Sequence, residues 1–418
     1  MITKNENLLR FIGLYVLAYT FPFPFGSLPF TAAITNKLVL VQFQIIKWIG
    51  HNVFQVTGEI ETYYSGSGDR FMHHLFLISF VFIAVLGTFI WSKVKGLKIS
   101  TTVLNSWILW YLQLYLAGTM MQYGIVKIMM SQFTEPSFQM LIEPYGNSSP
   151  MELAWAFFGY SKGYNLVIGG LELLLGYLLL FKRTRLLGAI IGAGIMLNVL
   201  TINLFYDIPV KLHAGHVFLF LWLIIAPNFK KLLAVILMNK APDNENVTLV
   251  FEKQKWLKIQ RYTMLVFGIL YSVNLIDSVF KIKSSWGDYS PKPAMYGLYE
   301  IEDFVINGDT LEPSLNDTVR WRYIGIDKTN TLDIYLMNKS IIKHSIQVDT
   351  NKREIEYKLG TSSEAQLMQY TKTDTTLVFS TIYNYDTIHA RAKIWNKKDF
   401  PLLNRKFQWV TEIPYKRL

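Results

Sequence analysis

A succession of long apolar runs, each parted from the next by a short polar link, most limits what this chain can fold into. The runs extend from about Leu8 to Phe21, Phe71 to Trp91, Leu104 to Ile128, Tyr164 to Phe181, Leu186 to Phe205, Leu212 to Ala226 and Tyr262 to Phe280. Most approach the roughly 20 residues that a bilayer-crossing helix needs, which predicts an α-helical transmembrane bundle of about seven spans. The first and sixth runs are short. Leu38 to Val56 places apolar residues at roughly helical period and carries Lys47 and His51, so it is expected to be an amphipathic helix at the membrane surface.

A formal charge of +11 would suggest nucleic acid for a soluble protein, but here Lys and Arg gather in the links between apolar runs. No basic face is interleaved with exposed aromatics, so no nucleic-acid partner is expected. With seven spans, Lys4 and Arg10, Lys93 to Lys98, Lys182 to Arg185 and Lys230 to Arg261 all fall on one side. The positive-inside rule makes that side cytoplasmic, which places the N-terminus in the cytoplasm and the C-terminal part in the periplasm of a bacterial inner-membrane protein. The first run has no small-x-small cleavage site and reads as an uncleaved span. The absence of cysteine removes thiolate nucleophiles, disulfide exchange and Cys-based metal or iron–sulfur sites.

Beyond about Lys283 the apolar period shortens. Segments such as GLYEIEDFVI, TVRWRYIG, TLDIYLM, SIIKHSIQV and TIHARAKI, punctuated by Asn307-Gly308 and Asn316-Asp317, predict short antiparallel strands. The expected division is a helical membrane domain over 1–283 and an all-β extracytoplasmic domain over 284–418. A small antiparallel barrel is preferred to a sandwich.

Ionisable groups at membrane depth are costly, which draws attention to NLFYDIPVKLHAGH at Asn203. Pro209 should end the helix that carries Asn203, leaving a turn at Asp207 to Pro209 and re-entry through Lys211. His213 and His216 stand three residues apart and can face one pocket. The plainer alternative is that Asp207 caps a helix and pairs with Lys211 while the histidines are hydrogen-bonded inside the bundle. Glu172, in GGLELLLG, needs either neutralisation or a cation, for which Lys127 is the candidate, with Tyr123 one turn earlier. The alternative there is a polar contact that locks two helices. Gly66-Ser67-Gly68-Asp69 could form an anion nest or be a plain loop. FPFPFGSLPF and the loop from Gln132 to Ser161 look like an interfacial aromatic cap.

Together GSGD at Gly66, YGIVK at Tyr123, PYGNSSPMELAWAFFGYS at Pro144, GGLELLLG, KRTRLLGA at Lys182, NLFYDIPVKLHAGH and RKFQWVTEIPYKR at Arg405 resemble the DoxX-like membrane proteins of Bacteroidetes. The resemblance covers nearly the whole chain. It departs at Arg70, where the pattern has Thr, and at RKFQW, where it has RGFHW. More remotely the chain is similar to the transmembrane part of vitamin K-dependent gamma-carboxylases. The resemblance implies handling of a quinone or another lipid-soluble molecule in redox or envelope metabolism.

On this reading Lys211 and His216 hydrogen-bond a carbonyl oxygen, Asp207 orients Lys211, and Glu172 with Lys127 carries a proton, since quinone reduction consumes protons. His213, Tyr123, Asn203 and Tyr206 complete the expected ligand site, with quinone as cofactor and no metal. The expected partners are membrane lipids and a periplasmic or membrane redox protein. Two other readings stand beside it. One is a non-enzymatic assembly or lipid-handling factor whose β-domain docks a periplasmic partner; the other is a membrane enzyme with Lys211 or His216 as base.

Overall fold

The computed structural model describes residues 1–28, 30–60, 68–94, 96, 99–239, 254–358, 365–405 and 407–410. Gly66 and Ser67 of the GSGD turn, Lys95, Lys98, the 240–253 link and the chain after Val410 lie outside them. The chain divides into two compact units, one of residues 1–132 and 162–283, the other of 133–161 and 284–418.

The first unit is helical. In chain order its helices are α1 (Glu6–Thr20), α2 (Ala32–Asn52), α3 (Phe71–Lys93) and α4 (Thr101–Ile128). The second unit's two helices follow, α5 (Phe138–Ile142) and α6 (Pro150–Tyr160). The first unit then resumes with α7 (Lys162–Leu180), α8 (Arg185–Phe205), α9 (Lys211–Ile225), α10 (Phe229–Met238) and α11 (Gln254–Ser285). Among the described residues five elements are long and apolar enough to cross a membrane: α3, α7, α8, α9 continued through α10, and α11. This is the composition of a membrane protein.

The two remaining expected spans differ for physical reasons. α1 has only 15 residues, less than the roughly 20 of a perpendicular crossing. α4 has 28, but Asn105, Ser106, Gln113 and Lys127 lie on its buried surface, as suits a helix enclosed by others. The short sixth run is lengthened by a single 3-10 turn at Ala226–Asn228 that carries α9 into α10, giving 28 residues from Lys211 to Met238. α2 buries Gln42, Phe43, Ile46, Ile49 and Gly50 on one stripe, the helical amphipathicity expected of it.

Glycines set the closest helix pair. A Cβ on Gly124 of α4 would stand 2.6 Å from the Gly169 carbonyl oxygen of α7, and one on Gly169 would stand 2.7 Å from the Gly124 carbonyl. Only glycine lets these backbones approach so far, the device by which membrane helices gain packing energy without a hydrophobic driving force.

The second unit is built on a β-barrel. Its strands are β1 (Gly297–Ile306), β2 (Asp309–Thr310), β3 (Trp321–Ile326), β4 (Thr331–Leu336), β5 (Ile341–Asp349), β6 (Glu354–Lys358), β7 (Ala365–Lys372), β8 (Thr376–Tyr383) and β9 (Asp386–Trp395). Consecutive strands from β3 to β9 pair antiparallel, β1 pairs β3, and β1 also pairs β9 with Tyr299 opposite Ile394 and Phe304 opposite Ala390. That pairing closes an eight-stranded barrel, to which β2 adds only a short hairpin through Asn307-Gly308. Closure removes the unpaired edges that a sandwich would keep. Alternate residues point inward, and Tyr299, Phe304, Trp321, Tyr357 and Phe379 fill the interior. Arg320 is buried there and donates to the carbonyls of Leu311, Glu302 and Trp321, so its charge is met by backbone dipoles.

The segment 133–161 belongs to this unit. Asp288 accepts from Glu135 N, Asp327 accepts from Phe138 N at 3.2 Å, and Phe138 packs with Leu298 and Tyr335. α6 starts with a capping box of Ser149 and Glu152, with Pro150 at its first position. Lys397 reaches both the carbonyl and the carboxylate of Glu135.

Candidate functional site

Pro209 and the left-handed backbone of Asp207 (φ 50°) turn the chain between α8 and α9, and Ile208 N bonds back to the Asn203 carbonyl. This is the turn expected from the sequence. Asp69, also left-handed at φ 62°, meets it from the approach to α3. One carboxylate oxygen of Asp69 accepts from Lys211 N at 2.6 Å and the other from Leu212 N at 3.0 Å. A residue more than a hundred positions away therefore caps α9, where a helix presents unpaired N–H groups and positive partial charge. An anion nest formed by the GSGD amides is not tested, since Gly66 and Ser67 lie outside the described residues; what the turn supplies is the Asp69 carboxylate, an anion for the amides of α9.

A cavity of about 210 Å³ lies behind this contact. Its walls come from the end of α1 (Tyr19, Phe21), from α2 (Gln42), from Gly68 and Asp69, from α3 (His73, Phe76, Leu77, Phe80), from α4 (Tyr115) and from α9 with its approach (Val210, Leu212, His213). Aromatic rings dominate. The charge-bearing side chains among these are Asp69 and the two histidines, with no Lys or Arg among the described lining residues. His213 forms no hydrogen bond among the described residues, and its ring stands 5.9 Å from that of Tyr123. Gln42 is 7% exposed, and its carboxamide oxygen is buried without a hydrogen-bond partner among the described residues.

The sequence candidates separate into three places. His213 lines the cavity. His216, one turn on, does not: its Nδ1 bonds to the Leu212 carbonyl at 2.6 Å, and its Nε2 takes the Tyr15 hydroxyl at 2.6 Å. Nδ1 must then carry the proton, and Tyr15 donates. The His216 ring also stacks on Tyr19 with centroids 3.9 Å apart, backing one wall of the cavity. Lys211 and Asp207 pair at 2.9 Å on the surface, where the Asp207 side chain is 86% exposed, so this pair matches the plainer alternative and contributes little. Tyr206 is exposed beside it. Asn203 is buried and donates to the Val210 carbonyl, holding the turn.

Lys127 and Glu172 form the third place. Their charged atoms stand 2.7 Å apart and both side chains are buried, on the glycine-lined contact of α4 and α7. Tyr123 stands between this pair and His213: Lys127 Nζ lies 5.1 Å from the Tyr123 ring, whose centroid is 5.9 Å from that of His213. Gln42, Asp69, Tyr19 and Tyr15 were missed as site residues. The available signals were the GSGD turn for Asp69 and the spacing of Gln42 among apolar residues on a helical stripe.

In the barrel, His344 is buried, with Nδ1 on the Lys358 carbonyl and Nε2 near the Tyr383 hydroxyl, and burial holds its pKa below the ordinary imidazole value. Desolvation likewise lowers the Lys372 ammonium, which faces the Tyr299 ring and hydroxyl. Among the described residues no group of three His, Asp or Glu side chains is placed to hold a metal ion.

No family model matches the chain. No solved structure matches it either. It is similar to the uncharacterized protein YwoB of Bacillus subtilis (strain 168), with 40% identity over 99 residues. That match covers 24% of this chain and 62% of YwoB, so the chain spans less than two thirds of its relative.

Proposed function

We propose that the helical unit is a membrane receptor for a neutral, lipid-soluble ring molecule of the quinone class, held in the α1–α2–α3–α4–α9 cavity. One observation carries this reading: an aromatic cavity of about 210 Å³ is lined by the His213 imidazole, a donor and acceptor with no hydrogen-bond partner among the described residues. The volume suits a headgroup and leaves an isoprenoid tail to the lipid. The lack of Lys and Arg among the described lining residues disfavours fatty acids and lipid phosphates. Lys127 and Glu172, reached through Tyr123, are a charge pair able to balance a proton near the ring.

Sidedness is supported by connectivity. Four apolar elements, α7, α8, α9 with α10, and α11, separate residue 161 from residue 284, and an even number of crossings returns the chain to the side it left. One unit built from 133–161 and 284–418 requires that return. The basic residues Lys182, Arg183, Lys230, Lys231, Lys255 and Lys258 then fall on the opposite, cytoplasmic side, and the barrel is periplasmic.

The test is organic extraction of the gently solubilised protein followed by mass spectrometry. The reading expects a stoichiometric quinone-class molecule, lost in Leu212→Trp, which fills the cavity. Phospholipid alone in both samples overturns it.

A further inference from the structure

We infer that Asp69 and Gln42 make the cavity selective for a ring bearing hydroxyl donors over the same ring bearing only carbonyls. The inference rests on the ring-binding reading above and adds the form of ligand that the site retains. It follows from an inventory of the polar wall.

A carboxylate is an acceptor only, with about four lone-pair positions. Asp69 uses one position on each oxygen, for Lys211 N and Leu212 N, so further positions remain on a group that lines the cavity. Gln42 lines the same cavity, and its carboxamide oxygen, buried and without a hydrogen-bond partner among the described residues, is a second acceptor. His73, His213, the Tyr19 and Tyr115 hydroxyls and the Gln42 NH2 can each donate, and the rings and hydroxyls can also accept, so these groups serve either ligand form and the difference falls on Asp69. Among the described lining residues no side chain is a donor only, since none is Lys, Arg or Trp. A hydroxyl pointed at Asp69 would gain a charge-assisted hydrogen bond. A carbonyl oxygen in the same position would face a carboxylate and an amide oxygen, with no proton between them.

Asp69 therefore has two roles that share one group. It caps α9 with two bonds along the helix, and it presents its remaining lone pairs to the ligand. Its neighbour Gly68, where a Cβ would sit 3.3 Å from the Pro209 carbonyl, keeps the carboxylate close against the α9 turn.

The experiment is equilibrium binding to the detergent-solubilised full chain, under anaerobic conditions, of three probes of one shape: tetramethylhydroquinone, tetramethyl-1,4-benzoquinone and 1,4-dimethoxytetramethylbenzene. The hydroquinone is expected to bind roughly tenfold or more tighter than the other two, the scale of a hydrogen bond to a charged acceptor. Asp69→Asn should remove most of that preference; it keeps one of the two oxygens that cap α9 and puts a donor where the other stood. Gln42→Met, which does not touch the α9 cap, should weaken the preference without altering the elution profile. Equal affinity for all three probes in the wild type overturns the selectivity but leaves the ring site standing. Failure of all three to bind overturns both. A hydroquinone preference unchanged in Asp69→Asn and Gln42→Met also overturns the assignment.

Discussion

Lys127 Nζ lies 2.7 Å from Glu172 Oε2 with both side chains shielded from solvent, so each charge is the main compensation for the other. Removing one partner strands an ion in an apolar bundle, which is far more damaging than removing both. Lys127→Met should destabilise the helical unit by about 3 to 5 kcal/mol, while Lys127→Met with Glu172→Leu should recover most of that loss. Unfolding in mixed detergent micelles measures both. A double variant as unstable as the single one would contradict the pairing.

The glycine contact predicts a steric effect of a different kind. Gly169→Ala places a methyl group 2.7 Å from the Gly124 carbonyl and 3.0 Å from Ile128, against backbone that cannot step aside without parting α4 from α7. Overpacking of this sort costs about 1 to 3 kcal/mol. Gly170→Ala, where nothing lies within reach of the added carbon, should be neutral. The same micelle unfolding assay compares the two, and equal stabilities would show that the close approach is not needed.

Much of this architecture was legible because membrane helices and barrel strands write their periods into the chain. The runs behind α3, α7, α8 and α11 were readable from length and apolarity, and strand alternation indicated a barrel whose closure by β1 and β9 is now seen. Glu172 called for a cation, and Lys127 supplies it. The expected pocket of Asp207, Lys211, His213 and His216 is instead divided, because a helix turn aims neighbouring residues at different surroundings: Lys211 to the exposed Asp207, His213 to the cavity, His216 to Tyr15. Asp69 reaching α9 is a contact across 142 positions, and no local period encodes it. The grouping of 133–161 with the barrel is likewise fixed by distant partners, Asp288 and Asp327.

Asp69 as the cap of α9 has its own consequence. Asp69→Ala leaves the Lys211 and Leu212 amides without a partner and should cost about 0.5 to 2 kcal/mol, the usual loss of a capping side chain. Hydrogen exchange of the first turn of α9 should accelerate, while exchange in α7 stays as it was. Unchanged protection at Lys211 and Leu212 would remove the cap from the account.

The barrel should respond to acid through His344. Its pKa is lowered by burial in the folded state, whereas the unfolded chain titrates near the ordinary value of about 6.5. Below that pH the unfolded state binds the proton first. Stability is therefore full above about pH 6.5 and falls as pH descends toward the folded value. Hydrogen exchange in β5 and β6, corrected for the intrinsic pH dependence, should report this loss, and His344→Gln should flatten it. An equal acid response in the variant would assign the effect elsewhere.

The central claim is that the cavity behind Asp69 and His213 holds a neutral lipid-soluble ring. Its most direct measurement is saturable binding of radiolabelled tetramethyl-1,4-benzoquinone and its hydroquinone to purified full-length protein, compared with Leu212→Trp, whose indole occupies the same space. The account predicts one site per chain for at least one of the two probes, abolished in the tryptophan variant with folding intact. Binding that does not saturate, or that is identical in both proteins, would contradict it.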